Sequence, residues 1–180
     1  MDNEFLLQEF SQMFEEKRHY DNRLFSFITM LFALLTINVS VVAFVYESSI
    51  KDIQYLAIAL SLIQIIAGLV VVTSLYHNRV SYVKVCRQIN SIRLCSLTSL
   101  PSEYGFRNLM YINPEYPQYL KLDSMHLIVI VFVIAINSMC VGVLVFFAIL
   151  NISQSIVGVF LTFSLQFFGI IHFLQKRDKK

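Results

Sequence analysis

The side chains with the most chemical potential in this chain are four carboxamides, Asn38, Gln64, Asn137 and Gln166, each set in a stretch without Asp, Glu, Lys or Arg. A carboxamide in an apolar medium is costly unless its donor and acceptor are paired. Each must therefore meet another helix, a polar cavity or water. Two readings stay open: hydrogen bonds holding helices together, worth about 1 kcal/mol or less each, or the neutral lining of a conducting path, to which Thr36 and Ser40 would add hydroxyls.

A second set is basic: His77, Arg79, Lys84, Arg87 and Arg93, with Tyr82 among them, follow the second apolar stretch. Such a segment could bind a nucleotide, an oligonucleotide or a phospholipid headgroup. Bases after a span also follow from topology alone. His77, Lys84 and Arg87, at offsets of seven and three, fall near one helical face and are the first candidates for a ligand.

Catalytic patterns are missing. No Gly-rich phosphate loop, GxSxG, HExxH or carboxylate pair occurs, so the sequence predicts no enzyme, no catalytic residue, no metal site and no cofactor. Cys86, Cys95 and Cys140 form no CxxC pair and read as reduced thiols. A quinone-linked disulfide oxidase would need paired outer cysteines, and those turns have none.

The elements that must position these groups follow from composition. Of the 180 residues 57% are hydrophobic and only 14% charged, which excludes an ordinary soluble domain. Four uncharged stretches, 24–46, 53–76, 127–150 and 155–174, each reach the roughly 20 residues that a helix needs to cross hydrocarbon. No segment alternates as a lipid-facing barrel strand would. The five acids and absent bases of residues 1–16 argue against a cleaved signal peptide. The spans lack the embedded carboxylate of a proton-driven pump or small multidrug antiporter, and His126 and His172 read as interfacial anchors.

Charge sets the expected orientation. Thirteen of the 14 Lys and Arg precede the first span, follow the fourth or lie between the second and third, and only Lys51 falls on the other side. By the positive-inside rule both termini and the long middle segment face the cytoplasm. The outer side keeps two short turns, 47–52 and 151–154, the second carrying an Asn151-Ile152-Ser153 glycosylation triplet with no expected role.

The predicted fold class is therefore all-α: a four-helix transmembrane bundle with cytoplasmic helical extensions. Residues 1–23 form an acidic amphipathic helix continuous with the first span. Residues 24–76 and 127–174 are transmembrane hairpins, 77–126 a helical extension ended by Pro101 and then a turn-rich aromatic connector, and 175–180 a basic tail. The acidic leading helix could dock on the basic segments.

Small residues recur every three or four positions in the first span (Ser26, Thr29, Ala33, Thr36, Ser40, Ala43), the spacing that lets helices approach closely in lipid. Asn38 lies off that stripe. Two polar faces on one span predict contacts on two sides, hence a homo-oligomer, taken as a tetramer.

The charged segment Phe14-Glu15-Glu16-Lys17-Arg18-His19-Tyr20-Asp21-Asn22-Arg23, running straight into a span of a four-span chain, resembles small membrane effectors of bacterial anti-phage systems. These include the four-span effectors associated with nucleotidyltransferases and the membrane components of the Hailong and Kiwa systems. The resemblance implies an oligomeric, multi-pass protein of the bacterial inner membrane, controlled by a cytoplasmic partner protein or by a nucleotide or oligonucleotide signal. On activation it would open a pore or otherwise disturb the membrane and arrest the infected cell. The rival expectation is a sensor of infection or envelope disturbance that signals to a soluble partner. A facilitator of small-molecule transport ranks behind both.

Overall fold

The computed structural model describes residues 3–47, 51–97, 113–149 and 151–179. Among these the regular structure is helical: α1 (Asn3–Glu47), α2 (Lys51–Leu97), α3 (Met125–Ile149) and α4 (Ile152–Asp178). All four are long and apolar enough to cross a membrane. The chain is a multi-pass membrane protein.

Residues 3–47 contain neither Pro nor Gly, and 51–97 hold Gly68 alone, so nothing interrupts either run of backbone bonds. At about 1.5 Å per residue α1 and α2 reach roughly 70 Å, against roughly 40 Å for α3 and α4. The surplus of about 30 Å lies at one end, carried by the N-terminal part of α1 and the C-terminal part of α2. Two hydroxyls of the first span satisfy themselves locally: Thr36 and Ser40 donate to Phe32 O and Thr36 O, at 2.9 and 2.8 Å.

The shorter helices are capped by side chains. Ser124 Oγ accepts from Leu127 N at 3.3 Å and opens α3. Asn151 Oδ1 accepts from Ser153 N and Gln154 N at 3.0 and 3.2 Å and opens α4, so the first residue of the glycosylation triplet is a helix cap.

α2 lies between α1 and α3, α4 packs on α3, and α1 touches α3 only slightly. The buried stripe of α2 is Ala57, Ser61, Gln64, Gly68, Val71 and Leu75, steps of three and four that make one face. Close approach at two glycines sets the spacing. A Cβ on Gly68 would overlap the Asn137 carboxamide of α3, and one on Gly142 would overlap Val159 of α4. The apolar core, with Leu24, Leu75, Val83, Ile130 and Leu174, is gathered toward the extended end. The outer surfaces of α1 and α4 stay apolar, as Phe44, Phe160 and Leu165 show, which suits acyl chains as solvent.

The turn at 48–50 and the part of the connector at 98–112, with Pro101, Tyr104, Gly105, Phe106 and Tyr111, lie outside the described residues.

Candidate functional site

Two polar regions stand out. The first is at membrane depth. Asn137 Nδ2 donates to Gln166 Oε1 at 3.3 Å and joins α3 to α4. Asn38 and Gln64 are buried, 6% and 3% exposed. Neither Asn38 Nδ2, Ser61 Oγ, Gln64 Nε2 nor Asn137 Oδ1 has a hydrogen-bond partner. The amides thus divide: one pair ties two helices, while two others face the bundle interior with an unmet donor. Thr36 and Ser40 point the other way and are exposed, bonded only to their own helix.

The second region is a clasp at the extended end, where α2 and α4 grip the connector by its backbone. Arg79 is 2% exposed. Its Nε donates to Tyr119 O at 3.2 Å and its Nη2 to Gln118 O at 2.8 Å. About two turns on, Arg87 Nε donates to Pro117 O at 3.1 Å, and its guanidinium lies 4.6 Å from the centre of the Tyr119 ring. Asn90 Nδ2 reaches Asn113 O and Tyr116 O at 3.0 and 2.9 Å. From the opposite side Asp178, the one acid of the tail, accepts from Tyr119 N at 2.8 Å and Leu120 N at 2.9 Å and pairs with Arg87 at 3.5 Å.

Two backbone carbonyls thus occupy the guanidinium fork of Arg79, and the Pro117 carbonyl and the Asp178 carboxylate share that of Arg87, uses suited to a planar donor set. The other basic candidates are dispersed. Lys84 is exposed and His77 is exposed beside α4. The Arg93 guanidinium lies 5.6 Å from the ring centres of both Phe10 and Phe14, which docks α1 on α2 by cation–π contact. The structure does not bring His77, Lys84 and Arg87 together around one cavity. Asn78, whose buried Nδ2 donates to Tyr20 O of α1 at 3.0 Å, escaped the sequence reading, as did the roles of Asn90, Tyr119 and Asp178. Only Asp178 carried a signal there, as a lone acid among four bases.

Between α1, α2 and α3 the clasp continues into a buried titratable group. His126 Nε2 is 3.9 Å from Asp21 Oδ1, and its ring centre is 4.4 Å from that of Tyr82. Burial, then the charges of Arg79 and Lys17, hold the His126 imidazole down to about 4, and the nearby Asp21 carboxylate does not reverse this. Burial raises Asp21 above the usual carboxylate range and Cys86 above the usual thiol range. Burial also lowers Arg79, partly offset by Tyr82, Cys86 and Asp178. A cavity of about 290 Å³ opens alongside, lined by Phe14, Lys17, Tyr82, Arg93, Tyr116 and Lys121 among others. Among the described residues no three His, Cys, Asp or Glu converge as metal ligands.

No family model, curated protein or solved structure matches the chain.

Proposed function

We propose that the chain is one subunit of a homo-oligomeric effector of the bacterial inner membrane, whose subunits meet along α1 and open a polar path when the clasp releases. The carrying observation is the orientation of α1. Its stripe of small and hydroxylated residues, including Ser26, Thr29, Thr36 and Ser40, lies on the outside of the subunit, while Asn38 is turned inward. A self-sufficient bundle would bury such a stripe, as α2 buries Ser61 and Gly68. The unpaired polar atoms of Asn38, Ser61 and Gln64 favour opening, because each costs about 1–3 kcal/mol while dry and regains partners when water enters.

The positive-inside rule places the clasp in the cytoplasm. The cavity beside Lys17 and Arg93 is just below the roughly 300–1,000 Å³ usual for small-molecule sites, which fits part of a nucleotide signal or a peptide side chain. The setting in anti-phage defence rests on the resemblance of residues 14–23 and the four-span layout.

The test uses the full chain in liposomes. Thr36→Cys and Ser40→Cys subunits should cross-link to each other, and Asp178→Ala, which loosens the clasp, should release an entrapped dye faster than the unaltered chain. Monomeric cysteine variants together with a tight D178A membrane would end the pore reading. A second reading, a membrane sensor signalling to a soluble partner, draws on the connector being held by α2 and α4 at once, so that motion of either helix reshapes its surface. Partner capture that is lost on charge reversal at Lys84 and Lys121, without any flux, would favour it.

A further inference from the structure

A cavity apart from the one beside Lys17 and Arg93 lies between α2 and α4. Near the extended end the two helices line a groove of about 560 Å³. Its floor is apolar, built on the buried Val72 and Ile170. Tyr76 and Phe173 flank it, with ring centres 6.2 Å apart. At the end nearest the clasp the lining turns basic: His77, Lys176 and Arg177. Among the described residues neither Lys176 nor Arg177 belongs to an ion pair. The neighbouring Asp178 carboxylate is held by Arg87 and two connector N–H groups and does not neutralise them.

We infer that this groove binds an anionic phospholipid, one acyl chain lying between α2 and α4 and the phosphate meeting Lys176, Arg177 and His77. A long apolar slot ending in bases at the level where a span leaves hydrocarbon matches an amphiphile with an anionic head. A soluble anion would have no use for the slot, and a neutral lipid none for the bases. Among the residues of α4 only Ser155, Ile170 and Leu174 are buried, so most of that helix faces acyl chains and the groove opens toward them. The inference rests on membrane insertion and on none of the pore reading. Its consequence is control of the clasp, because the residue after Arg177 is the one that grips Tyr119 and Leu120. A bound headgroup would hold that helix end in place.

The test is native mass spectrometry of the full chain in detergent, with phosphatidylglycerol, phosphatidylcholine or inorganic phosphate added. The unaltered chain should retain phosphatidylglycerol over phosphatidylcholine by roughly tenfold or more, the scale set by two bases at an anionic headgroup. Lys176→Gln/Arg177→Gln should bring the two lipids level. Thr73→Phe, an exposed position on the groove wall, should lower retention of both without changing charge. Arg18→Gln/Arg23→Gln, which removes equal charge from α1, should keep the preference. Equal retention of the two lipids by the unaltered chain would overturn the inference. So would an undiminished preference in the Lys176/Arg177 variant, an equal loss in the Arg18/Arg23 variant, or displacement of the lipid by inorganic phosphate.

Discussion

Arg79 shows how an apparent ligand-binding residue becomes a structural one. It emerges from α2 just where the helix leaves the apolar zone, and burial would make its charge very costly if two carbonyls did not accept from it. Arg79→Met should therefore destabilise the chain by about 2–4 kcal/mol, since it strands the Tyr119 and Gln118 carbonyls. Arg79→Lys should restore only part, because an ammonium lacks the fork. Thermal unfolding in detergent reads both. His126 predicts a pH dependence. Its folded value of about 4 lies below the roughly 6.5 of a free imidazole, so the unfolded chain binds the extra proton between them. Stability is full above about pH 6.5, and falls with pH toward 4, by about 2 kcal/mol at pH 5. The variant His126→Gln should flatten that acid limb. If its melting temperature follows the same curve, another group is responsible.

At the scale of elements, the glycines make the sharpest prediction. A methyl at 68 or 142 collides with a side chain of the neighbouring helix, whereas one at 169 meets no atom within 4 Å. Gly68→Ala and Gly142→Ala should each cost about 1–3 kcal/mol. Gly169→Ala should be neutral or stabilise by up to about 1 kcal/mol through helix propensity. The same three substitutions look alike on paper, and thermal melts would order them. The amides behave likewise. The sequence marked Asn38, Gln64, Asn137 and Gln166 as needing partners, yet only the packing assigns Asn137 to Gln166 and leaves Asn38 and Gln64 with unmet donors.

For the whole molecule, α1's leading part, α2's extension, the described part of the connector and the end of α4 gather at one end, and Asn151, the cap of α4, lies at the other. A cysteine at Lys84 should react with an impermeant maleimide only after cells are opened, while one at Ser153 should react in intact cells. The reverse pattern would invert the topology and place the clasp outside. Charge attraction between the acidic leading helix and the basic extension was legible in composition, but the contacts that dock them include rings under Arg93 and the Asn78 amide donating to Tyr20 O.

Sequence alone determined that this chain crosses a bilayer in four helices and that two of them extend well beyond it. Hydrocarbon has no partners for backbone polar groups, so a long uncharged run has only the helix open to it. It also located the amides, the small-residue stripe and the bases, because residue type and a period of 3.6 are local properties. Tertiary structure decided what those residues face. Rotation of α1 puts its small residues outside and Asn38 inside, and the return of the connector turns Arg79 and Arg87 from ligand candidates into backbone clamps. Those outcomes depend on which helices are neighbours and on how closely two glycines let them approach, relations between distant segments that no local pattern records.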